Sequence, residues 1–168
     1  MPHMWGEGFF PMDRDMLAAR LHRANLHIGL IDTTIPAFRC ADFAPVAFMS
    51  FDLDSYTSTR QALQLLTTEA DRFLPRVPCY FDDIMGYFGN DYAGERLAIT
   101  EFNADQPLRK LSPQHGLKWC VPATHREAMC PAQMYFAHLF DHRLYTAPAC
   151  VQRGSVIDIE DRVYTHHA

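Results

Sequence analysis

The chain has 168 residues, of which 48% are hydrophobic and 21% are charged, a composition typical of one globular domain with a hydrophobic core. Its net charge of −5 offers no broad basic surface, so nucleic acid is not expected as a partner. The apolar runs are too short to cross a bilayer and the N-terminus lacks the regions of a signal peptide, which predicts a cytoplasmic protein with no membrane partner.

Hydrophobic spacing predicts alternating helices and strands in the first half of the chain. A helix from Met12 to His22 is followed by a strand, Asn25 to Ile31, and by a second helix from Thr33 to about Cys40. Two apolar stretches of strand character then enclose a third helix. The strands are Val46 to Phe51 and Val77 to Phe81, and the helix is Thr57 to Phe73. This spacing predicts a βαβ unit with two parallel strands.

The second half of the chain is predicted to continue this α/β architecture. Gly94 to Phe102 has helical spacing, whereas Leu117 to Val121 and Met134 to Phe140 have the character of strands. The tail, Arg153 to Val163, is either a last strand or an extended arm. No internal repeat or domain boundary is evident, so residues 1–168 are expected to form a single domain.

Two acidic clusters follow the two strands of the βαβ unit. Asp52 and Asp54 come directly after the first strand, and Asp82 and Asp83 come after the second. Since parallel strands end at the same edge of a sheet, we expect these side chains to meet in one crevice. Clustered carboxylates repel one another unless a cation neutralises them, and oxygen ligands without Cys or His favour a hard divalent ion. The alternative is that they are exposed helix caps, as Asp54 could be.

The motif around these aspartates resembles that of a known family. The run DLDSYTST at residues 52–59, with the Asp82-Asp83 pair one strand later, resembles the second half of class I S-adenosylmethionine-dependent methyltransferases. The closest type is macrocin O-methyltransferase, which methylates sugar hydroxyls. The resemblance covers residues 26–86 and rests beyond them on strand order. It implies a Rossmann-like sheet, mostly parallel with helices on both faces, and the cofactors S-adenosylmethionine and Mg²⁺.

The resemblance also implies roles for individual residues. Asp52, Asp82 and Asp83 would bind the magnesium ion that holds the hydroxyl of a small polyhydroxylated acceptor. Asp32 is the candidate contact to the cofactor, although a cap on the helix from Thr33 is the simpler interpretation. Catechol-type relatives carry a lysine base where this chain has Ser55, so another residue must take the acceptor's proton.

Histidine is the side chain most readily poised to accept a proton near neutral pH. His115, in the run SPQHGLKW, is the first candidate for the catalytic base, followed by His138 and His142. Any of the three can equally be a surface or packing residue, which is the commoner role of histidine.

Two parts of the family's donor site have no counterpart in the chain. Both the glycine-rich turn after the first strand and the acidic residue that closes the second are missing, since Gly6 and Gly8 follow no predicted strand. The first ~25 residues are also too few for two βα units of ~30 residues each. We therefore expect a partial methyltransferase domain that starts near the third strand of the family's sheet, and the chain by itself can be inactive.

Two other functions fit some of the same residues. Haloacid-dehalogenase-type phosphohydrolases also combine a DxD strand end with an Asp pair that binds magnesium. They need a lysine between the two motifs, however, and no lysine lies between Asp54 and Asp83. A non-catalytic binding module of the same fold would explain the missing glycine-rich turn. Nothing in the sequence decides between a monomer and a homo-oligomer.

Overall fold

The computed structural model describes residues 9, 11–85, 89–125 and 130–147. From α2 onward helices and strands alternate along this part of the chain, as the sequence predicts for an α/β fold. They are α1 Arg14–Arg20, α2 Ile31–Cys40, β1 Met49–Phe51, α3 Tyr56–Leu63, β2 Arg76–Phe81, α4 Gly94–Asp105, β3 Arg109–Pro113, α5 Leu117–Cys120 and β4 Met134–Leu139. The predicted tail element, Arg153 to Val163, lies outside the described residues. None of the described helices is both long enough and apolar enough to cross a membrane.

The four strands form one mixed sheet in the order β1-β2-β4-β3. β1 and β2 are parallel, with Met49 opposite Cys79 and Phe51 opposite Phe81, which confirms the predicted βαβ unit. The expectation of a mostly parallel sheet is wrong, because β4 is antiparallel to both of its neighbours. A parallel return requires a long crossover, usually a helix, and the described α-helix between β3 and β4 has only four residues. β3 therefore runs in the same direction as β1 and β2, and β4 is reversed.

The hydrophobic core lies on one face of this sheet. Alternate residues of β2 and β4 are buried there, and they form one cluster with apolar residues of α3 and α4. The rings of Phe51 and Phe81 stack in this cluster with centroids 4.5 Å apart. Residues that point to the opposite face, such as Pro78, Tyr80 and Phe136, are only half buried. The described helices thus cover one face of the sheet more completely than the other.

Three predicted elements differ from the structure. Asn25 to Ile31 is not a strand, and α2 begins at Ile31. The helix predicted from Thr57 to Phe73 ends at Leu63 and continues in short 3₁₀ turns. Leu117 to Val121, predicted as a strand, contains the short helix α5, which follows Gly116 in a left-handed conformation (φ 79°).

The sequence pattern does not predict β3, a polar strand that is one of the two outermost strands of the sheet. Its outer backbone groups at Leu111 bind the side chain of Asn103 on α4. The Asn103 amide donates to the Leu111 carbonyl at 2.7 Å, and its oxygen accepts the Leu111 N–H at 2.7 Å. A side chain thus takes the place of a neighbouring strand, and no hydrophobic alternation is needed to stabilise this edge.

Arg109 at the start of β3 joins this strand to the rest of the domain. Its guanidinium donates to the carbonyls of Leu66 and Thr68 and pairs with Asp141 at 2.7 Å. The arginine side chain is only 12% exposed. Hydrogen bonds from Arg109 lower the pKa of Asp141. Since the two carbonyls would lose their donor if the guanidinium were removed, this contact is expected to be important for stability.

We expect Arg109→Met to lower the free energy of unfolding by about 2 kcal/mol, because it leaves buried carbonyls and Asp141 unpaired. Arg143→Met is the matched control. Arg143 is 72% exposed and pairs with the exposed Asp71, so its loss should cost less than about 0.5 kcal/mol. Urea unfolding followed by circular dichroism measures both values, and equal effects would contradict the assigned role of Arg109.

Candidate functional site

The carboxyl ends of β1 and β2 bring the predicted acidic residues to one edge of the sheet. Asp52 follows β1 directly, while Asp82 and Asp83 begin the 3₁₀ turn after β2. The backbone N–H of Asp54 donates to Asp83 Oδ2 at 2.9 Å, so a hydrogen bond connects the two clusters. Partial burial, followed by the charges of Asp82 and Asp83, raises the pKa of Asp52. Burial also raises the pKa of Asp83. The side chains are therefore close enough to repel one another.

The turn between β1 and α3 positions the backbone N–H that donates to Asp83. Asp54 has a left-handed backbone (φ 50°), a conformation that aspartate tolerates better than most residues. The predicted role of Asp54 as helix cap is wrong. Ser55 is the N-cap of α3, and its hydroxyl accepts the Ser58 N–H at 3.2 Å. The backbone N–H of Asp54, which lies outside the helix, donates to Asp83.

Asp82 is held by two neighbouring side chains. The Tyr80 hydroxyl donates to Asp82 Oδ1 at 2.5 Å, and this bond raises the pKa of Tyr80 to about 12. The buried Gln133, just before β4, donates its amide to the Asp82 carbonyl at 2.6 Å. Gln133 also supplies the carbonyl that accepts the Phe81 N–H. The start of β4 is thus fixed directly against the acidic turn.

The sequence pattern does not predict a further carboxylate next to these aspartates, that of Glu95. It lies in the first turn of α4 and its side chain is fully buried. The Asp83 N–H donates to Glu95 Oε2 at 3.1 Å, whereas Oε1 is buried and has no hydrogen-bond partner among the described residues. Burial first, and then the charge of Asp83, raises the pKa of Glu95 to about 8. In sequence it resembles any acidic residue that favours a helix N-terminus, so no local signal identifies it.

His115 lies at the same edge of the sheet as the acidic residues, because it follows β3, which runs parallel to β1 and β2. It is exposed and lines a cavity of about 250 Å³ together with Gln114, Lys118 and Met134. β4 separates β3 from β2, so about 10 Å lie between the ends of these two strands. His115 therefore faces a neighbouring cavity and is not in direct contact with the aspartates.

His138 and His142, the other two candidates for the base, lie at the opposite end of the sheet, near the start of β2. His138 is opposite Arg76, the first residue of β2, and its Nδ1 bonds to the Tyr145 hydroxyl at 2.8 Å. His142 is buried beyond the end of β4, and its Nδ1 accepts the Leu144 N–H at 3.0 Å. As candidates for the base at the acidic edge they are wrong, because β4 runs antiparallel and carries them away from it.

Asp32 lies in the first turn of α2 and is exposed. The helix begins one residue earlier, after Leu30, and no side chain caps it. The interpretation of Asp32 as the cap of this helix is therefore wrong. Its contact with a cofactor stays a prediction.

The side chains at the carboxyl ends of β1 and β2 are of the type that binds a divalent cation. Their positions in this structure, however, do not form a binding site. The donors are carboxylate oxygens, which Mg²⁺ prefers, and one of them, Glu95 Oε1, is buried and unpartnered. Over the described ranges, however, no three His, Cys, Asp or Glu side chains are grouped closely enough to hold a metal ion. A cation would have to draw the side chains together against their mutual repulsion.

Comparison with known proteins finds no match to a family model, a curated protein or a solved structure. The geometry of this sheet edge and the motif that follows β1 are therefore the features that indicate a function.

The buried Glu95 predicts an unusual pH dependence of stability. Its pKa is about 8 in the folded protein against an ordinary 4.5, so the folded state holds the extra proton between these values. The free energy of unfolding should therefore fall as the pH rises from about 4.5 to about 8. Glu95→Gln cannot ionise and keeps an acceptor for the Asp83 N–H. We expect this variant to exceed the wild type in stability at about pH 9 and to equal it at about pH 5. Urea unfolding in the presence of a chelator tests this, and a pH-independent difference would contradict it.

Ser55 is expected to matter for stability and not for proton transfer. Ser55→Ala removes the N-cap of α3 and should lower the free energy of unfolding by about 1 kcal/mol. Ser55→Asn, which can still cap, should restore most of the loss. If the protein transfers methyl groups, both variants should keep nearly the wild-type rate under conditions in which they are folded. A large loss of turnover in the folded alanine variant would assign Ser55 a catalytic role.

Proposed function

We propose that the protein is an S-adenosylmethionine-dependent, metal-assisted O-methyltransferase that acts on a hydroxyl of a small polyhydroxylated acceptor. One observation carries the proposal. The DLDSYTST run after β1 and the Asp82-Asp83 pair after β2 meet at one sheet edge, joined by the bond from Asp54 to Asp83. This is the arrangement that the resemblance to the macrocin O-methyltransferase type requires of those residues.

The strand order supports the proposal that the sheet is of the Rossmann-like methyltransferase type. β1, β2 and β3 run in one direction, and the reversed β4 is inserted beside the last strand of the parallel pair. Beyond residue 86 the resemblance rests on this order, and a reversed final strand beside the parallel ones is compatible with the second half of such a sheet. β1 and β2, which carry the acidic residues at their carboxyl ends, are direct neighbours, and the reversed strand does not lie between them.

The proposed ligands of a magnesium ion are Asp52, Asp82 and Asp83. Such an ion would lower the pKa of the acceptor hydroxyl and orient it. The chain's own residues prepare the site in two ways. Asp54 donates to Asp83 Oδ2, and Tyr80 donates to Asp82 Oδ1, so one oxygen of each carboxylate is fixed by a hydrogen bond. The bond from Gln133 to the Asp82 carbonyl holds the turn against β4.

The cavity beside His115 is the proposed binding site for the acceptor. It opens at the same edge as the acidic residues, about two strand spacings from β2, or about 10 Å. An acceptor of several sugar-like carbons can span that separation. The hydroxyl that reacts would then lie at the aspartates, and its proton would reach an imidazole nitrogen of His115 through intervening water, because the histidine does not contact the aspartates. Asp32 remains the proposed contact to S-adenosylmethionine.

Titration calorimetry with magnesium tests the metal part of this proposal. We expect the wild-type chain to bind Mg²⁺, and Asp82→Asn and Asp83→Asn each to weaken binding by more than about tenfold while remaining folded. Asp105→Asn is the control for the loss of one charge, because Asp105 is exposed at the far end of α4. Unchanged affinity in both site variants would contradict the assignment.

Titration with S-adenosylmethionine separates the proposed function from its rivals. S-adenosylmethionine should bind weakly or not at all to the present chain, which lacks the glycine-rich turn, and should bind to a version that carries a glycine-rich βα unit at its N-terminus. Magnesium binding without donor binding in either form would favour the phosphohydrolase or a binding module. Labelled methyl transfer to simple sugars would then confirm the reaction class in the form that binds the donor.

A further inference from the structure

We infer that the cavity beside His115 binds the anionic group, a phosphate or a carboxylate, of an acidic sugar, and that Lys118 is the residue that selects this group. The inference rests on the proposed acceptor site and names the class of acceptor that the site takes. It involves no metal ion, because the two basic side chains of the cavity come from the segment that follows β3 and not from the acidic turns.

The charge of the cavity wall is the first step of the argument. His115 and Lys118 line the cavity, and none of the described residues that line it is acidic. The chain as a whole carries a net charge of −5, so a wall whose ionisable groups are all basic is the reverse of the overall balance. Such a wall attracts an anionic ligand and repels a cationic one.

The second step is that the fold does not use these two basic groups. Lys110, the other lysine of the chain, donates to the carbonyl of Asn103. The Lys118 ammonium, by contrast, makes no hydrogen bond or ion pair with a described residue and lies 4.9 Å from the centre of the Trp119 ring. A cation over an aromatic ring keeps its N–H donors available. The exposed Lys118 can therefore donate to a bound ligand.

The remaining wall of the cavity is the third step, because it strengthens the attraction. It is mainly apolar and includes Pro113, Leu117, Pro131, Ala132 and Met134. Apolar walls lower the local dielectric, and the attraction between an ammonium and an anion rises as the dielectric falls. The volume of about 250 Å³ lies below the about 300 to 1,000 Å³ of pockets for drug-sized ligands, so the cavity suits a group of the size of one sugar ring.

The fourth step is that the two ends of this sheet edge have opposite charge. The aspartates follow β1 and β2, whereas His115 and Lys118 follow β3, about 10 Å away. An acidic sugar has an anionic group for the basic end and hydroxyl donors for the carboxylates, which orients it in one direction. The reverse orientation would put its anionic group against the aspartates. A neutral sugar lacks this preference, so the site favours an acidic one.

Titration calorimetry with glucose 6-phosphate, glucuronate and glucose tests the inference at low ionic strength. We expect at least one of the two acidic sugars to bind about tenfold or more tightly than glucose. Lys118→Met keeps an unbranched side chain but removes the ammonium, and it should weaken the binding of that acidic sugar by about tenfold. Arg143→Met is the matched control for one lost positive charge. Arg143 is exposed beyond the end of β4, at the opposite end of the sheet, and its loss should change the affinity by less than about twofold.

Three outcomes would overturn the inference. Neither acidic sugar binds more tightly than glucose, or Lys118→Met and Arg143→Met lose the same affinity, or inorganic phosphate binds as tightly as glucose 6-phosphate, which would remove the sugar from the assignment. The choice between phosphate and carboxylate follows from which acidic sugar binds more tightly.

NMR of the wild-type chain needs no variant. Addition of the tighter acidic sugar should shift the backbone amide resonances of Gly116 and Lys118 and leave that of Arg143 in place. Unmoved Gly116 and Lys118 resonances at saturation overturn the inference. These titrations contain a chelator and no S-adenosylmethionine, so their outcome is independent of methyl transfer. The donor titration decides the proposed function, and the sugar titrations decide whether the acceptor site selects an acidic sugar.

Discussion

The parallel pairing of β1 with β2 is the contact on which both the core and the acidic edge depend. Its register puts Phe51 opposite Phe81, and the two rings stack inside the core. The residues that follow, Asp52 and Asp82, must then leave the sheet side by side. A shift of one residue would turn the phenylalanines to the other face, so burial of the aromatic rings fixes where the carboxylates meet.

The fold brings together carboxyl groups whose ionised forms repel one another. Asp52 and Asp83 have raised pKa values, and Glu95 is held under them in the first turn of α4. The hydrogen bonds from Asp54 to Asp83 and from Asp83 to Glu95 keep these groups together despite the repulsion. Sites in which a fold retains strained or repelling groups are commonly functional, because the surrounding structure stabilises what the site alone does not.

A row of polar groups extends the site along the sheet edge toward a cavity. Gln133 joins Asp82 to the start of β4, and the Gln114 N–H donates to the Met134 carbonyl at 2.8 Å, which joins β4 to the end of β3. His115 and its cavity follow at once. The reversed strand β4 is therefore not only a structural element, since its first residues connect the acidic group to the proposed acceptor pocket.

Local patterns were sufficient for the βαβ unit. Apolar runs that end in aspartates predict β1 and β2, and the parallel direction follows from the helix between them. The same patterns failed where stability comes from distant contacts. β3 is polar, and Asn103 on α4 satisfies its outer edge at Leu111. The run Leu117 to Val121 is apolar enough for a strand, but it follows the left-handed Gly116 and contains a short helix.

The sequence by itself determined that Asp52, Asp82 and Asp83 follow consecutive parallel strands, because strand periodicity and a right-handed crossover leave few other arrangements. Only the tertiary structure decided which residues join them. The direction of β4 placed His115 at the acidic edge and moved His138 to the opposite one. The packing of α4 against the turn after β2 brought Glu95 beneath Asp83. Both depend on contacts between elements far apart in the chain, and the local spacing of residues does not encode them.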